Sequence, residues 1–111
     1  MKHNNSEFTN LTSAQVEALR ECFDFLKNGY IQTIDFNVKY LWIIKMRHRA
    51  NGNTINVHIT EQYYEIWKNG RCSKKVYHRV NGERFVLSVD SEMNIQVRPI
   101  NVGACAKLIN G

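Results

Sequence analysis

From Ile34 onward every second residue is apolar: Ile34, Phe36, Val38, Tyr40, Trp42, Ile44 and Met46. Between and after them stand Asp35, Asn37, Lys39, Leu41, Ile43, Lys45, Arg47 and Arg49. Side chains alternate across a strand, so residues 34–50 are predicted as one long strand with an apolar face and a mostly basic one. Three Asn-Gly pairs follow, Asn51-Gly52, Asn69-Gly70 and Asn81-Gly82. Asn-Gly favours the type I′ hairpin turn, in which both central residues take positive φ. If each pair closes a two-residue loop, Met46 faces Val57 and Ile44 faces Ile59 at the first turn. At the second, Tyr63 faces Val76 and Ile59 faces Val80. At the third, Val76 faces Leu87 and His78 faces Phe85. All these residues share the face that begins with Tyr40 and Trp42, and a one-residue slip at any turn would break the agreement. The pattern therefore predicts a meander of residues 34–50, 53–68, 71–80 and 83–90. A fifth strand over residues 94–99 follows, with Ile95 and Val97 inward and Pro99 at its end.

Before the strands lies a helix with clear ends. Thr12 and Gln15 form a capping box, and Leu11 and Val16 a hydrophobic staple. Val16, Leu19, Cys22, Phe23 and Leu26 recur at helical spacing. Gly29 suits the left-handed position after the helix, and Tyr30 can fold back onto Phe25. Residues 13–28 are predicted as helix, residues 1–10 as a flexible segment, and residues 11–111 as a single domain. Residues 101–111 fit a short helix or a strand. The fold class is α+β: one N-terminal amphipathic helix packed on a curved antiparallel β-meander of four to five strands.

The charge changes the picture because it is lopsided. Residues 39–84 hold ten Lys/Arg and three Asp/Glu, a local +7, and the remainder five and seven, or −2. Such asymmetry bears on partners. The same register places Lys39, Lys45, Arg47, Arg49, Lys68, Lys75, Arg79 and Arg84 on the outer sheet face, with His58, Tyr64 and Tyr77 among them. A cationic sheet with exposed rings fits a single-stranded nucleic acid, charge following phosphates and rings stacking on bases. A solvated sheet face has a similar composition, so charge alone does not decide. Leu41, Ile43, Ile66 and Val86 are also assigned outward, and Leu41 and Ile43 mark a protein contact.

Other chemistry is thinly signalled. The cysteines, Cys22, Cys72 and Cys105, are odd in number and widely spaced, which fits a reducing, cytoplasmic setting better than a disulfide framework. No apolar leader follows Met1 and no run is long enough to span a membrane. The histidines His3, His48, His58 and His78 have no ligand spacing, and no metal or cofactor is expected. Cys72 is assigned inward opposite Trp67. Glu61, inward beside Trp42 and His78, is the one acid/base pair the register offers an enzyme.

The expectation is a small, non-enzymatic, intracellular binding module. Its basic sheet face would meet nucleic acid or an acidic nucleoprotein surface through Lys45, Arg47, Arg49, Tyr64, Lys75, Tyr77, Arg79 and Arg84. The alternative is a protein–protein inhibitor or adaptor, of the kind mobile elements carry, that blocks a larger enzyme and can form a homodimer through Leu41 and Ile43.

Overall fold

The computed structural model describes residues 6–77 and 82–100. Among them one helix and two antiparallel sheets form an α+β fold. The helix α1 (Ser13–Lys27) follows strand β1 (Ser6–Leu11). Then come β2 (Tyr30–Val38), β3 (Leu41–His48), β4 (Thr54–Ile59), β5 (Tyr63–Lys68) and β6 (Arg71–Tyr77), a five-stranded meander in chain order. Strands β7 (Phe85–Val89) and β8 (Ile95–Pro99) join β1 in a second sheet, ordered β1-β7-β8. Residues 6–10 of β1 lie in the segment expected to be flexible, and the strand pairs with β7. Leu87 pairs with Phe8 and Val97, and not with Val76, so the meander ends at β6. His78, Arg79, Val80, Asn81 and residues 101–111 lie outside the described residues.

The helix is capped as the sequence demands. Gln15 N–H donates to Thr12 Oγ1 at 3.3 Å, and Thr12 N–H donates to Gln15 Oε1 at 2.8 Å. At the other end Phe25 and Tyr30 meet edge to face at 5.3 Å. Val16, Ala18, Leu19 and Cys22 turn inward and join one core with Ile44, Met46, Ile55, Val57, Ile59, Tyr64 and Ile66. Leu11, Leu87 and Val89 of the second sheet complete it.

The predicted long strands are each cut by a turn that carries no glycine. The first reverses at Lys39-Tyr40, where Val38 pairs with Leu41 and Lys39 takes φ 53°. A two-residue loop pairs residues of opposite parity. Trp42, Ile44 and Met46 stay inward as expected, but Ile34, Phe36 and Val38 move to the outer face beside Lys45, Ile43 and Leu41. The second strand reverses at Glu61-Gln62, between Ile59 and Tyr64. Thr60 Oγ1 accepts the N–H groups of Gln62 and Tyr63 at 3.2 and 3.0 Å, a side-chain substitute for turn residues. Parity inverts again: Tyr64 and Ile66 are core, whereas Tyr63, Glu65 and Trp67 are outward.

The Asn-Gly turns behave unequally. Asn69 and Gly70 have φ 48° and 85°, the expected two-residue turn. At Asn51-Gly52 only Gly52 has positive φ, and the loop is longer: His48 N–H donates to Asn53 O at 2.8 Å. Ile44 therefore faces Val57 and Met46 faces Ile55, two residues from the predicted register but on the predicted face.

Gly29 lies where the helix, β2 and the β3–β4 loop meet. Its φ is 98°, its carbonyl accepts the Arg49 N–H at 2.9 Å, and a Cβ there would come within 2.7 Å of His48 Nε2. His48 Nδ1 accepts the Ala50 N–H at 3.1 Å, so Nε2 carries the proton toward Asn28 O at 3.2 Å. Gly29→Ala is expected to lower unfolding free energy by about 1–3 kcal/mol, through positive φ and displacement of His48. Gly52→Ala, with φ 77° but open space around it, should lose only about 1 kcal/mol. Urea denaturation of both variants measures the difference due to His48.

Candidate functional site

The outer face of the meander, turned away from α1, is laid out by cross-strand rows. One row runs Phe36, Ile43, His58, Glu65, Lys75. The next runs Ile34, Lys45, Asn56, Trp67, Cys72. Two different surfaces result, one polar and internally satisfied around β5 and β6, the other apolar and rimmed by cations on β2 and β3.

The polar half is organised by Glu65, a carboxylate the sequence reading assigned to no site. It accepts the Trp67 indole N–H at 3.0 Å and lies 3.4 Å from both His58 Nδ1 and Lys75 Nζ. These contacts, the Trp67 hydrogen bond foremost, hold its carboxyl below the usual glutamate range. Trp67 stacks on His58 with centroids 5.6 Å apart. Lys75 Nζ also sits 4.3 Å from the Tyr63 ring centroid and 5.2 Å from that of Tyr77. Lys75 and Tyr77 are thus on the outer face, as predicted, but Lys75 is committed to local partners. Cys72 does pair with Trp67, yet on the exposed side, because of the parity change at Glu61-Gln62.

Tyr64 is a correction. Read from sequence as a surface ring, it is 1% exposed, and its hydroxyl donates to Glu21 Oε2 of α1 at 2.7 Å. Lys74 Nζ binds the same carboxylate oxygen at 2.6 Å. Burial, with the Glu21 hydrogen bond, pushes the Tyr64 hydroxyl pKa up. Arg84 is corrected too: it precedes β7 and lies 3.6 Å from Glu61 and 3.5 Å from Asn10 O, away from the meander face. Glu61 itself is an exposed turn residue, so the inward acid/base pair expected with His78 loses its carboxylate. Arg79 lies outside the described residues.

The apolar half retains five of the predicted residues. Lys45 and Arg47 project from β3, Arg49 follows it, and Leu41 and Ile43 are half-buried between them. Sequence reasoning missed the rest. Ile31, Ile34, Phe36 and Val38 are exposed, Phe36 by 40% and Val38 by 52%, and Tyr40 stands out at the turn. Residues Ile31 to Val38 are exposed on both faces of β2. Among the described residues no carboxylate pairs with Lys45, Arg47 or Arg49, nor with Lys68 or Arg71 at the neighbouring turn. Asp35 turns to the other face, where its Oδ1 accepts the Trp42 indole N–H at 2.5 Å. There a cleft of about 550 Å³ opens between Trp42, Asn37, Gln15 and the Glu61-Gln62 turn.

Among the described residues no three His, Cys, Asp or Glu side chains converge as metal ligands, and no helix is long and apolar enough to cross a membrane. No family model matches the chain, and comparisons with curated proteins and with solved structures find no match. The functional reading rests on the sheet itself.

Tyr64→Phe is expected to cost about 1.5–3 kcal/mol in urea denaturation, since the lost hydrogen bond goes to a carboxylate, and to leave partner binding unchanged. Glu65, with its folded pKa depressed, stabilises the fold above the ordinary carboxylate range, and that contribution fades as pH falls through the depressed value. Melting temperature should therefore drop less steeply with acid in Glu65→Gln than in the wild type, and the variant should already be slightly less stable at neutral pH.

Proposed function

We propose that this chain is a small binding module that docks a larger protein through the outer face of β2 and β3, as an inhibitor or adaptor with no chemistry of its own. The observation that carries this reading is the contiguous apolar strip Ile34, Phe36, Val38, Leu41 and Ile43, bordered by the unpaired cations Lys45, Arg47 and Arg49. An apolar centre with a polar rim is the anatomy of a protein interface. The rim is of one sign, so the partner's complementary surface is acidic.

The nucleic-acid reading keeps one observation in its favour. Arg47 and Arg49 on one side, and Lys68 and Arg71 in the row of inward-facing Ile55, lie at one end of the meander, where the Thr54 N–H donates to Asn69 Oδ1 at 2.8 Å. It loses the stacking ring of Tyr64 and the free charge of Lys75.

The test is capture from nuclease-treated native host extract, identification of the retained protein, and titration of that purified protein. Phe36→Lys with Ile43→Lys is expected to weaken the complex at least about a hundredfold, and Lys45→Glu with Arg47→Glu about tenfold or more, the latter mainly at low salt. If no protein survives nuclease treatment, and single-stranded RNA or DNA binds with a log–log salt slope of several times about −0.7, the nucleic-acid reading replaces this one.

A further inference from the structure

Resting on that reading, we propose how the partner engages: an extended acidic segment of it adds to the free edge of β2 as a sixth strand of the meander. Four strands end a sheet: β2 and β6 in one, β1 and β8 in the other. Exposed edges present unpaired N–H and C=O groups, and proteins blunt them with charge, proline, bulges or shortness. Three of these edges are blunted. β6 carries Arg71, Lys74 and Lys75 and a register shift. β8 has five residues, with Arg98 and Pro99 at its end. β1 has six, with Glu7 and a register shift beyond Phe8. β2 has none of this protection where it matters. It is the longest strand, nine residues, with no proline. Its one charge, Asp35, is engaged by Trp42. Its one irregularity lies between Gln32 and Ile34, which leaves residues 34–38 as an uninterrupted pairing run. Among the described residues nothing pairs with its outer edge.

Charge selects the occupant. Lys39 stands at one end of the run, and Lys45, Arg47 and Arg49 flank the other. An added strand lies about 9–10 Å from β3, two strand spacings away, within reach of lysine and arginine meeting a glutamate. The fitting segment has apolar residues at alternate central positions, to extend the row of Ile34, Phe36 and Val38, and carboxylates at both ends. A second copy of this chain would bring its own cations to the same rim and is disfavoured. Strand addition of this kind takes affinity from backbone pairing and specificity from alternate side chains.

The probe is a fluorescent nine-residue peptide with Val, Ile and Val at alternate central positions, Thr between them and two Glu at each end. Binding to the whole protein is read by anisotropy at low salt. The expected result is saturable binding, weakened about tenfold or more when Lys replaces every Glu. Two further peptides are N-methylated at alternate residues, so that one set loses the N–H groups facing β2 and the other those facing solvent. One set should abolish binding and the other leave it within about twofold, since a strand pairs through one edge only. Equal effects of the two sets would overturn strand addition, as would no binding of the Glu peptide. So would a dimer in sedimentation that Phe36→Lys dissolves and the peptide does not. The peptide assays use the wild-type chain, so they do not depend on a variant folding. If they fail while the purified partner still responds to Phe36→Lys with Ile43→Lys, face docking stands and strand addition falls. If the partner is insensitive to those changes, the docking face itself is wrong.

Discussion

The structure depends on one buried surface: the inner face of the meander held against α1 and the second sheet. Ile44, Met46, Ile55, Val57, Ile59, Tyr64 and Ile66 meet Leu19 and Cys22 with almost no exposure. Burial at roughly 25 cal/mol per Å² of apolar surface makes this the dominant favourable term. It also dictates everything outside it. A strand has two faces, so each residue turned toward the helix fixes its neighbours as outward. Even the buried thiol obeys: its desolvation pushes the Cys22 pKa up to about 12, which keeps it a neutral core residue.

That constraint explains which parts were legible in sequence. The helix was, because capping and 3.6-residue periodicity are local signals carried by Thr12, Gln15, Leu19 and Cys22. So was the inward face of β3, because Trp42, Ile44 and Met46 satisfy the same alternation whatever precedes them. The turns at Lys39-Tyr40 and Glu61-Gln62 were not. Neither contains glycine. Lys39 adopts a left-handed conformation that costs a side-chain-bearing residue roughly 1–2 kcal/mol, and the second turn is closed by the Thr60 hydroxyl. A period-2 pattern runs through both without a break. The alternation around Lys39 is continuous in sequence and inverted in space, because a two-residue reversal exchanges odd and even. Strands β7 and β8 were legible too, but their separation into a second sheet was not: β1 and β7 pair across almost the whole chain, and nothing local encodes that contact.

The candidate site was legible in its charges and not in its shape. Lys45, Arg47, Arg49, Leu41 and Ile43 are where alternation puts them. Tyr64 is not, because the parity change at Glu61-Gln62 buries it and brings Tyr63, Glu65 and Trp67 out in its place. Glu65 then pairs with Lys75, one of the cations the sequence assigned to a partner. What remains is a strip in which Phe36 and Val38, taken from sequence as core, are the exposed residues.

An exposed apolar edge strand is ordinarily a liability, since it templates pairing with any other edge, including its own copy. Here the liability is confined. The core lies under β3, β4 and β5, while β2 is exposed on both faces beyond Tyr30. On the proposed reading its outer apolar residues serve a partner, and the fold buries none of them. The other three edges are defended by charge, proline or shortness, and on the proposed reading recognition is thereby directed to one side of one sheet. The net charge of +5 works in the same direction. Like charges oppose the approach of a second copy and speed that of an acidic surface, and both effects weaken with salt. On the proposed reading, the basic character that the composition shows is the guard on an open edge, which excludes its own kind and admits its opposite.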